Sequence, residues 1–351
     1  MSSDDPQRIL IVRLSALGDV LLSSGLIPAL RARWPDASLS WLVESAAAPL
    51  LAHNPRLDEL LILPKAEWKA LWRSGRRWQA LRGLLAFRRL LRSRHYDLVV
   101  DPQGLLKSGL CAWMSGARRR VSLLPREGNQ WLMHETVQPA VDAAPLIGHE
   151  YRALARYLGA ADADFKLDLA IGGAARQRAR QALDQACVRG PYAVLAAFTT
   201  RPQKHWLESY WAELADGLLQ QGLTPVLLGG PGDRQAAERI GALNPRIVSL
   251  VGRLELDESV AAIAGSALVV GVDTGLTHMG IALDIPTVAL FGSTAPYLHG
   301  GHSRSVVLYD RLPCSPCHRN PSCNGRFDCM RQLDVARVLS ATLRAQAQLQ
   351  P

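Results

Sequence analysis

Short, wholly apolar runs recur along this chain, and each ends in a turn of small or polar residues followed by a helical segment. Ile9-Leu10-Ile11-Val12, Leu98-Val99-Val100 and Ala267-Leu268-Val269-Val270-Gly271 are three of them. Runs without polar alternation suit strands covered on both faces, and their alternation with helices predicts a parallel, doubly wound α/β sheet. The alternation occurs twice. In the first block, strands fall at Ile9–Val12, Leu39–Val43, Leu60–Leu63 and Asp97–Val100, with helices over Val20–Arg33 and Leu105–Ser115. In the second, strands fall at Tyr192–Phe198, Thr224–Leu228, Ile247–Leu250, Ala267–Gly271 and Pro286–Phe291. The stretch from Ala161 to Gly190, with Gly172-Gly173 inside it, marks the junction. Two Rossmann-like domains, 1–170 and 171–331, are therefore expected, with their strand ends facing a central cleft.

Charge is concentrated in one place. The chain has 351 residues and a formal net charge of +9. Residues 65–94 hold ten Lys and Arg against one acid, Glu67, so the rest of the chain is balanced. Trp68, Trp72, Trp78 and several leucines are interleaved with those cations. A basic, Trp-bearing helical stretch points to an anionic partner, whether a membrane surface, an acidic glycolipid or a nucleic acid, although a solvated helix face has the same composition. No apolar run reaches the roughly 18 residues a membrane span needs. The short polar start, Met1 to Arg8, does not read as a signal peptide. Six cysteines in a chain this long do not suggest a secreted disulfide scaffold, so the cytoplasm is expected.

Candidate chemistry lies on the turns. Asp273-Thr274-Gly275 follows an apolar strand and opens a helix. In an open α/β sheet a ligand binds at such a carboxyl end, and free N–H groups at the helix start suit a diphosphate. Thr274 and Thr277 add hydroxyls, and Gly292-Ser293-Thr294 forms a neighbouring small-residue turn; two ordinary capped turns would look the same. Thr199 and Thr200 with Lys204, just beyond another strand, suit a diphosphate clamp. Asp233, on a Gly-rich turn, suits ribose hydroxyls. Asp19, after Gly18 on the first strand-to-helix turn, suits a general base toward a hydroxyl, or a plain helix cap. No G-x-G-x-x-G follows the first strand, and neither a Walker A nor a G-x-S-x-G pattern occurs. Cys314, Cys317, Cys323 and Cys329 cluster as C-x2-C-x5-C-x5-C. Clustered thiolates suit a structural zinc, but x5 spacings are not those of a familiar finger or ribbon, so buried thiols or loop packing is the preferred reading.

Taken together, several segments resemble the lipopolysaccharide heptosyltransferases, family 9 of the glycosyltransferases. They are Ile11-Val12-Arg13-Leu14-Ser15-Ala16-Leu17-Gly18-Asp19-Val20, Trp41-Leu42-Val43-Glu44, Asp101-Pro102-Gln103-Gly104-Leu105-Leu106-Lys107-Ser108, Thr199-Thr200 with Lys204-His205-Trp206, and Val272 through His278. The third and fourth look most like the type I enzymes, which add the first heptose to Kdo. The cysteine-rich tail looks more like other members, so a type II or other acceptor is the alternative; a nucleic-acid-binding protein that uses residues 65–94 is a third reading.

The resemblance implies a GT-B fold with an N-terminal acceptor domain, a C-terminal nucleotide-sugar domain and a helix in 332–351 packing back on the first domain. It implies inverting transfer of heptose from ADP-heptose to a Kdo hydroxyl of Kdo2–lipid A, without a cofactor or catalytic metal. It assigns Asp19 as base. Thr199, Thr200, Lys204, Asp233, Leu254, Asp273, Thr274, Gly275 and His278 fall on the donor side. Ser15, Gly18, Arg73, Arg76, Arg77, Asp101, Gln103 and Lys107 fall on the acceptor side, with the basic 65–94 region holding the enzyme at the inner membrane surface.

Overall fold

A computed structural model describes residues 5–140, 142 and 144–347. The chain divides into two compact units, Met1–Asp142 with Gly148–Ala170, and Ala143–Ile147 with Ile171–Pro351.

The first unit holds six strands: β1 (Arg8–Val12), β2 (Ser38–Glu44), β3 (Glu59–Leu63), β4 (Leu98–Asp101), β5 (Arg119–Leu123) and β6 (Glu135–Val137). All pair in parallel, in the order β3-β2-β1-β4-β5-β6. Its helices are α1 (Leu17–Ser23), α2 (Leu26–Arg33), α3 (Lys65–Arg73), α4 (Arg77–Ser93), α5 (Leu106–Ser115) and α6 (His149–Tyr157). The single helix expected over Val20–Arg33 is two. Pro28 lacks the N–H that a continuous helix would use, and falls instead in the first turn of α2, where no bond is lost. At the break, Gly25 lies against Phe165, where a Cβ would sit 2.6 Å from the ring. Ser24 Oγ accepts a hydrogen bond from the Asp168 N–H at 2.8 Å.

The second unit repeats the plan. Helix α7 (Gly173–Gln185) leads into β7 (Tyr192–Ala196), α8 (Glu208–Gln220), β8 (Thr224–Leu227), α9 (Arg234–Leu243), β9 (Val248–Ser249) and α10 (Leu256–Ala264). After these come β10 (Leu268–Val272), α11 (Gly275–Ala282), β11 (Thr287–Phe291), β12 (Ser305–Tyr309), α12 (Asp328–Arg331) and α13 (Val335–Ala347). The order β12-β11-β10-β7-β8-β9 is again parallel throughout. Counted from its own first strand, it is the same 3-2-1-4-5-6 order as the first sheet. Each sheet therefore has one place where the chain direction reverses, between β1 and β4 and between β7 and β10. Loops diverge there at the strand carboxyl ends and leave a crevice.

Helix α13 packs on α8, β10, β11 and β12 of its own unit. Val335, Val338, Ala341, Thr342 and Ala345 form its buried stripe. Gly217 makes room for Leu339, since a Cβ there would meet the Leu339 side chain at 2.5 Å. Arg337 closes the contact with two 2.8 Å hydrogen bonds to the Asp310 carboxylate.

Val338 is fully buried in this stripe. Val338→Asp should place an unpaired charge there and destabilise the second unit by about 4 kcal/mol, read as a lowered unfolding midpoint.

Candidate functional site

The reversal point of the first sheet is built by the segments after β1 and β4. Arg13 leaves the end of β1 into a buried position. One guanidinium nitrogen donates to the Pro102 carbonyl at 2.8 Å. Another pairs with Asp19 Oδ2 at 2.6 Å, and the guanidinium lies 5.6 Å from the centre of the Tyr151 ring. Arg13 is 8% exposed at its side chain and Asp19 is 48% exposed. A half-exposed carboxylate is thus held by a buried cation through its Oδ2. Gly18 and Asp19 lie inside the first turn of α1, which begins two residues before Asp19. Nearby, Lys107 Nζ donates to Ser15 Oγ at 2.8 Å and lies 3.4 Å from Glu44 Oε1. Lys65, at the start of α3, binds the same Glu44 oxygen at 3.0 Å. Lys107 and Ser15 therefore sit beside Asp19's loop, whereas Glu44 and Lys65 had no assigned role. Gln103 accepts the Leu14 N–H at 2.9 Å and ties the two loops together.

Asp101 is not placed to touch a ligand. It is fully buried. Its Oδ1 accepts the Gln103 and Gly104 N–H groups at 2.9 and 3.1 Å, and its Oδ2 accepts Ser108 Oγ and Asn129 Nδ2 at 2.9 and 2.8 Å. Burial pushes its carboxyl up while these donors pull it down. Asp101 shapes the loop that presents Gln103 and Lys107. Arg73, Arg76 and Arg77 make no hydrogen bond or ion pair to this cluster among the described residues. Arg76 Nε donates to Ser74 Oγ at 3.1 Å, and Arg77 stacks on Trp72.

The reversal point of the second sheet carries the other cluster. Asp273, at the end of β10, is 10% exposed and is the hub. Lys204 Nζ approaches its Oδ2 at 2.5 Å, Thr294 Oγ1 donates to the same oxygen, and His278 Nε2 lies 3.3 Å from its Oδ1. The other His278 ring nitrogen meets the buried Tyr297 hydroxyl at 2.7 Å. Thr199 Oγ1 reaches the Asp273 carbonyl at 3.4 Å. Burial works against ionisation of Asp273, but His278 and Lys204 hold its carboxyl well below the usual carboxylate range.

Beyond Asp273, Thr274 takes the N-cap position of α11 in extended geometry and makes no side-chain cap bond, and Gly275 is the first helical residue. The N–H groups of that first turn remain open to an anion. Lys204 spends part of its three-donor capacity on Asp273 and keeps the rest. An uncapped helix start, the Lys204 cation and the Thr274 hydroxyl at the strand end suit an anion.

Three candidate residues already have partners within the fold. Thr277 is buried and donates back to the Val272 carbonyl at 2.7 Å. His278 has both ring nitrogens engaged, with Asp273 and with Tyr297. Asp233 Oδ2 accepts the Gly230 N–H at 2.8 Å, so this carboxylate closes its own turn at the end of β8. Leu254 is half-buried in the loop before α10. Among the described residues no group of three or more His, Cys, Asp or Glu is placed to hold a metal ion. The four clustered cysteines are free thiols, from exposed Cys314 to buried Cys329.

The sequence profile of glycosyltransferase family 9 (heptosyltransferase) matches residues 84–327. The chain belongs to this family. It is 33% identical over 325 residues to lipopolysaccharide heptosyltransferase 1 of Pseudomonas aeruginosa, covering 88% of this chain and 86% of that one. Its fold is similar to that of a family 9 glycosyltransferase from Veillonella parvula, with a TM-score of 0.84, 19% identity and coverage of 97% and 98%. It is also similar to Escherichia coli heptosyltransferase WaaC with ADP-2-deoxy-2-fluoro heptose, with a TM-score of 0.69, 26% identity and coverage of 95% and 98%. The two Rossmann-like units of this heptosyltransferase are those of a GT-B glycosyltransferase.

The Asp273 network carries a pH signature in the heptosyltransferase. A carboxyl whose folded pKa lies below its unfolded value stabilises fully above about pH 4, and that contribution is lost as pH falls further. Asp273→Asn should cost about 3 kcal/mol at neutral pH, because Lys204 loses its counter-charge, and should lose stability less steeply below about pH 4. Denaturant unfolding across pH reads both effects; parallel acid limbs would show that Asp273 is not the group responsible.

Proposed function

We propose that this heptosyltransferase moves L-glycero-D-manno-heptose from ADP-heptose onto a Kdo hydroxyl of Kdo2–lipid A, the type I reaction of the lipopolysaccharide inner core. The supporting observation is the pairing of two dissimilar switch-point clusters in one chain: a half-exposed carboxylate in the first unit and a helix start suited to an anion in the second. The 33% identity to a type 1 enzyme over most of the chain favours the first-heptose acceptor. The donor is a cytoplasmic nucleotide sugar, so transfer takes place on the inner face of the cytoplasmic membrane.

In this reading Asp19 is the general base. Its carboxylate takes the proton of the acceptor hydroxyl as the hydroxyl oxygen attacks the anomeric carbon. The new C–O bond forms on one face while the bond to the diphosphate breaks on the other, so the configuration inverts and ADP leaves. Arg13 fixes the carboxylate in place. Negative charge growing on the leaving diphosphate is met by Lys204, Thr199, Thr200, Thr274 and the open N–H groups from Gly275 onward. These groups supply the stabilisation a metal would otherwise give. Ser15, Gln103 and Lys107 line the acceptor side, with Lys107 suited to an acidic sugar. The loop holding Asp233 and Leu254, beyond β8 and β9, takes the nucleoside.

Asp19→Ala should lower transfer by about 10²–10⁴-fold while ADP affinity stays within about twofold, measured by product formation and by calorimetry. Near-normal turnover would remove Asp19 as the base. Lys204→Ala should weaken ADP-heptose binding by about tenfold or more and slow transfer as well, because its charge counters the leaving group. Incubating ADP-heptose with Kdo2–lipid A or with its mono-heptosylated form tests the acceptor; product from the latter alone would make this a type II enzyme.

A further inference from the structure

The first unit displays a surface that its own fold does not use. Among the described residues, nine of the fourteen exposed large hydrophobic side chains lie within residues 72–131. On α4, Trp78, Leu81 and Leu85 are spaced i, i+3, i+7 and share one face, opposite the buried Ala80, Phe87 and Leu91 that seat the helix on its sheet. On α5, Leu106, Leu110 and Trp113 follow the same rule, opposite buried Cys111 and Ala112. Both helices are thus apolar on two sides, and only one side is spent on the core.

The two outward stripes belong to one surface. Helices α4 and α5 pack together, and the Arg88 guanidinium lies over the Trp113 ring at 5.3 Å. The turn Asn129–Leu132 packs on α5 and adds Trp131, which is 84% exposed; Trp78 is 78% exposed. An indole left that open costs hydration free energy with no folding gain. Cations rim the stripes. Arg82, Arg89 and Arg92 lie on the outward side of α4 and form no ion pair among the described residues. Leucine and tryptophan stripes edged by arginine match an anionic lipid interface, with indoles at headgroup depth and guanidinium groups on phosphates. A nucleic acid would use the cations and leave the leucines unpaid.

We propose that α4, α5 and the Trp131 turn form an interfacial docking surface that inserts tryptophan and leucine side chains into an anionic bilayer. The sequence placed cations, tryptophans and leucines together in residues 65–94; the structure adds exposed Leu106, Leu110, Trp113 and Trp131 beside them. The biological meaning rests on the proposed lipid-linked acceptor, but the surface can be tested without it.

The full-length protein is floated with vesicles of phosphatidylcholine, with and without about a third phosphatidylglycerol. It should bind the anionic vesicles, and a measurable fraction should persist at about 0.5 M salt, where surface charge is screened within several ångströms. Its tryptophan emission should shift to the blue on binding and become protected from an aqueous quencher. Trp113→Ser with Trp131→Ser should lose the salt-resistant fraction and about tenfold in apparent affinity. No binding to anionic vesicles, or binding fully lost in salt with no emission shift, would overturn insertion, as would oligonucleotide binding tighter than vesicle binding. The quencher measurement on the unsubstituted protein decides even if the variant misfolds. Transfer to a soluble, deacylated acceptor should be the same in the variant, while transfer to vesicle-embedded acceptor falls. Failure of transfer to both acceptors by the unsubstituted protein counts against the proposed reaction and leaves the flotation result standing.

Discussion

Strand order is the constraint on which the functional clusters depend. A parallel sheet that begins at its centre and grows first one way and then the other must send two loops apart where growth reverses. This chain does so twice in the same order. Two clusters gather at those points: Arg13, Ser15 and Asp19 after β1 with the 101–107 loop after β4, and Thr199 and Lys204 after β7 with Asp273 and Thr274 after β10. None of these residues needs a special local fold to be there. Each needs only to follow the correct strand.

Three aspartates show how surroundings, more than residue type, set the role. Asp19 has one buried cationic partner and is half exposed, which suits the base proposed for it. Asp273 is nearly closed in and shared among Lys204, His278 and Thr294, so its charge organises neighbours and is not free for proton transfer. Asp101 is sealed, and its four donors come from its own loop and Asn129. Exchanging these surroundings would exchange the roles, because a carboxylate's basicity and reach follow from burial and partners.

That distinction marks what the sequence could and could not tell. Strands covered on both sides were legible because they are uniformly apolar. The edge-ward β5 and β6 were missed because β5 opens with Arg119-Arg120 and β6 has only three residues. Likewise β12 is an edge strand that is mostly half-buried. Positions at strand ends were legible, so Lys204 and Asp273 could be named. Partners that arrive from far along the chain were not. Arg13 reaches a carbonyl 89 residues away, and Tyr297 meets a histidine 19 residues before it. Asp101 did leave a local trace. An Asp whose oxygen takes the N–H groups two and three residues on, before a Gly at φ +67, is a turn-forming Asp, and Gly104 has no room for a Cβ beside the Leu123 carbonyl.

The same reasoning explains why α4 and α5 were read only in part. A helix pattern fitted to one apolar face assigns every other hydrophobic residue to noise. Helix α4 has two such faces, and arginines separate them, so its composition looks basic and its second stripe is hidden in the average. Only the fold, by showing which face meets the sheet, frees the other face to be counted. A helix that had only to cover β-strands would keep Phe87 and Leu91 and could be polar at 78, 81 and 85. Keeping tryptophan and leucine there, beside a second helix and a turn that do likewise, is the arrangement the proposed docking surface requires.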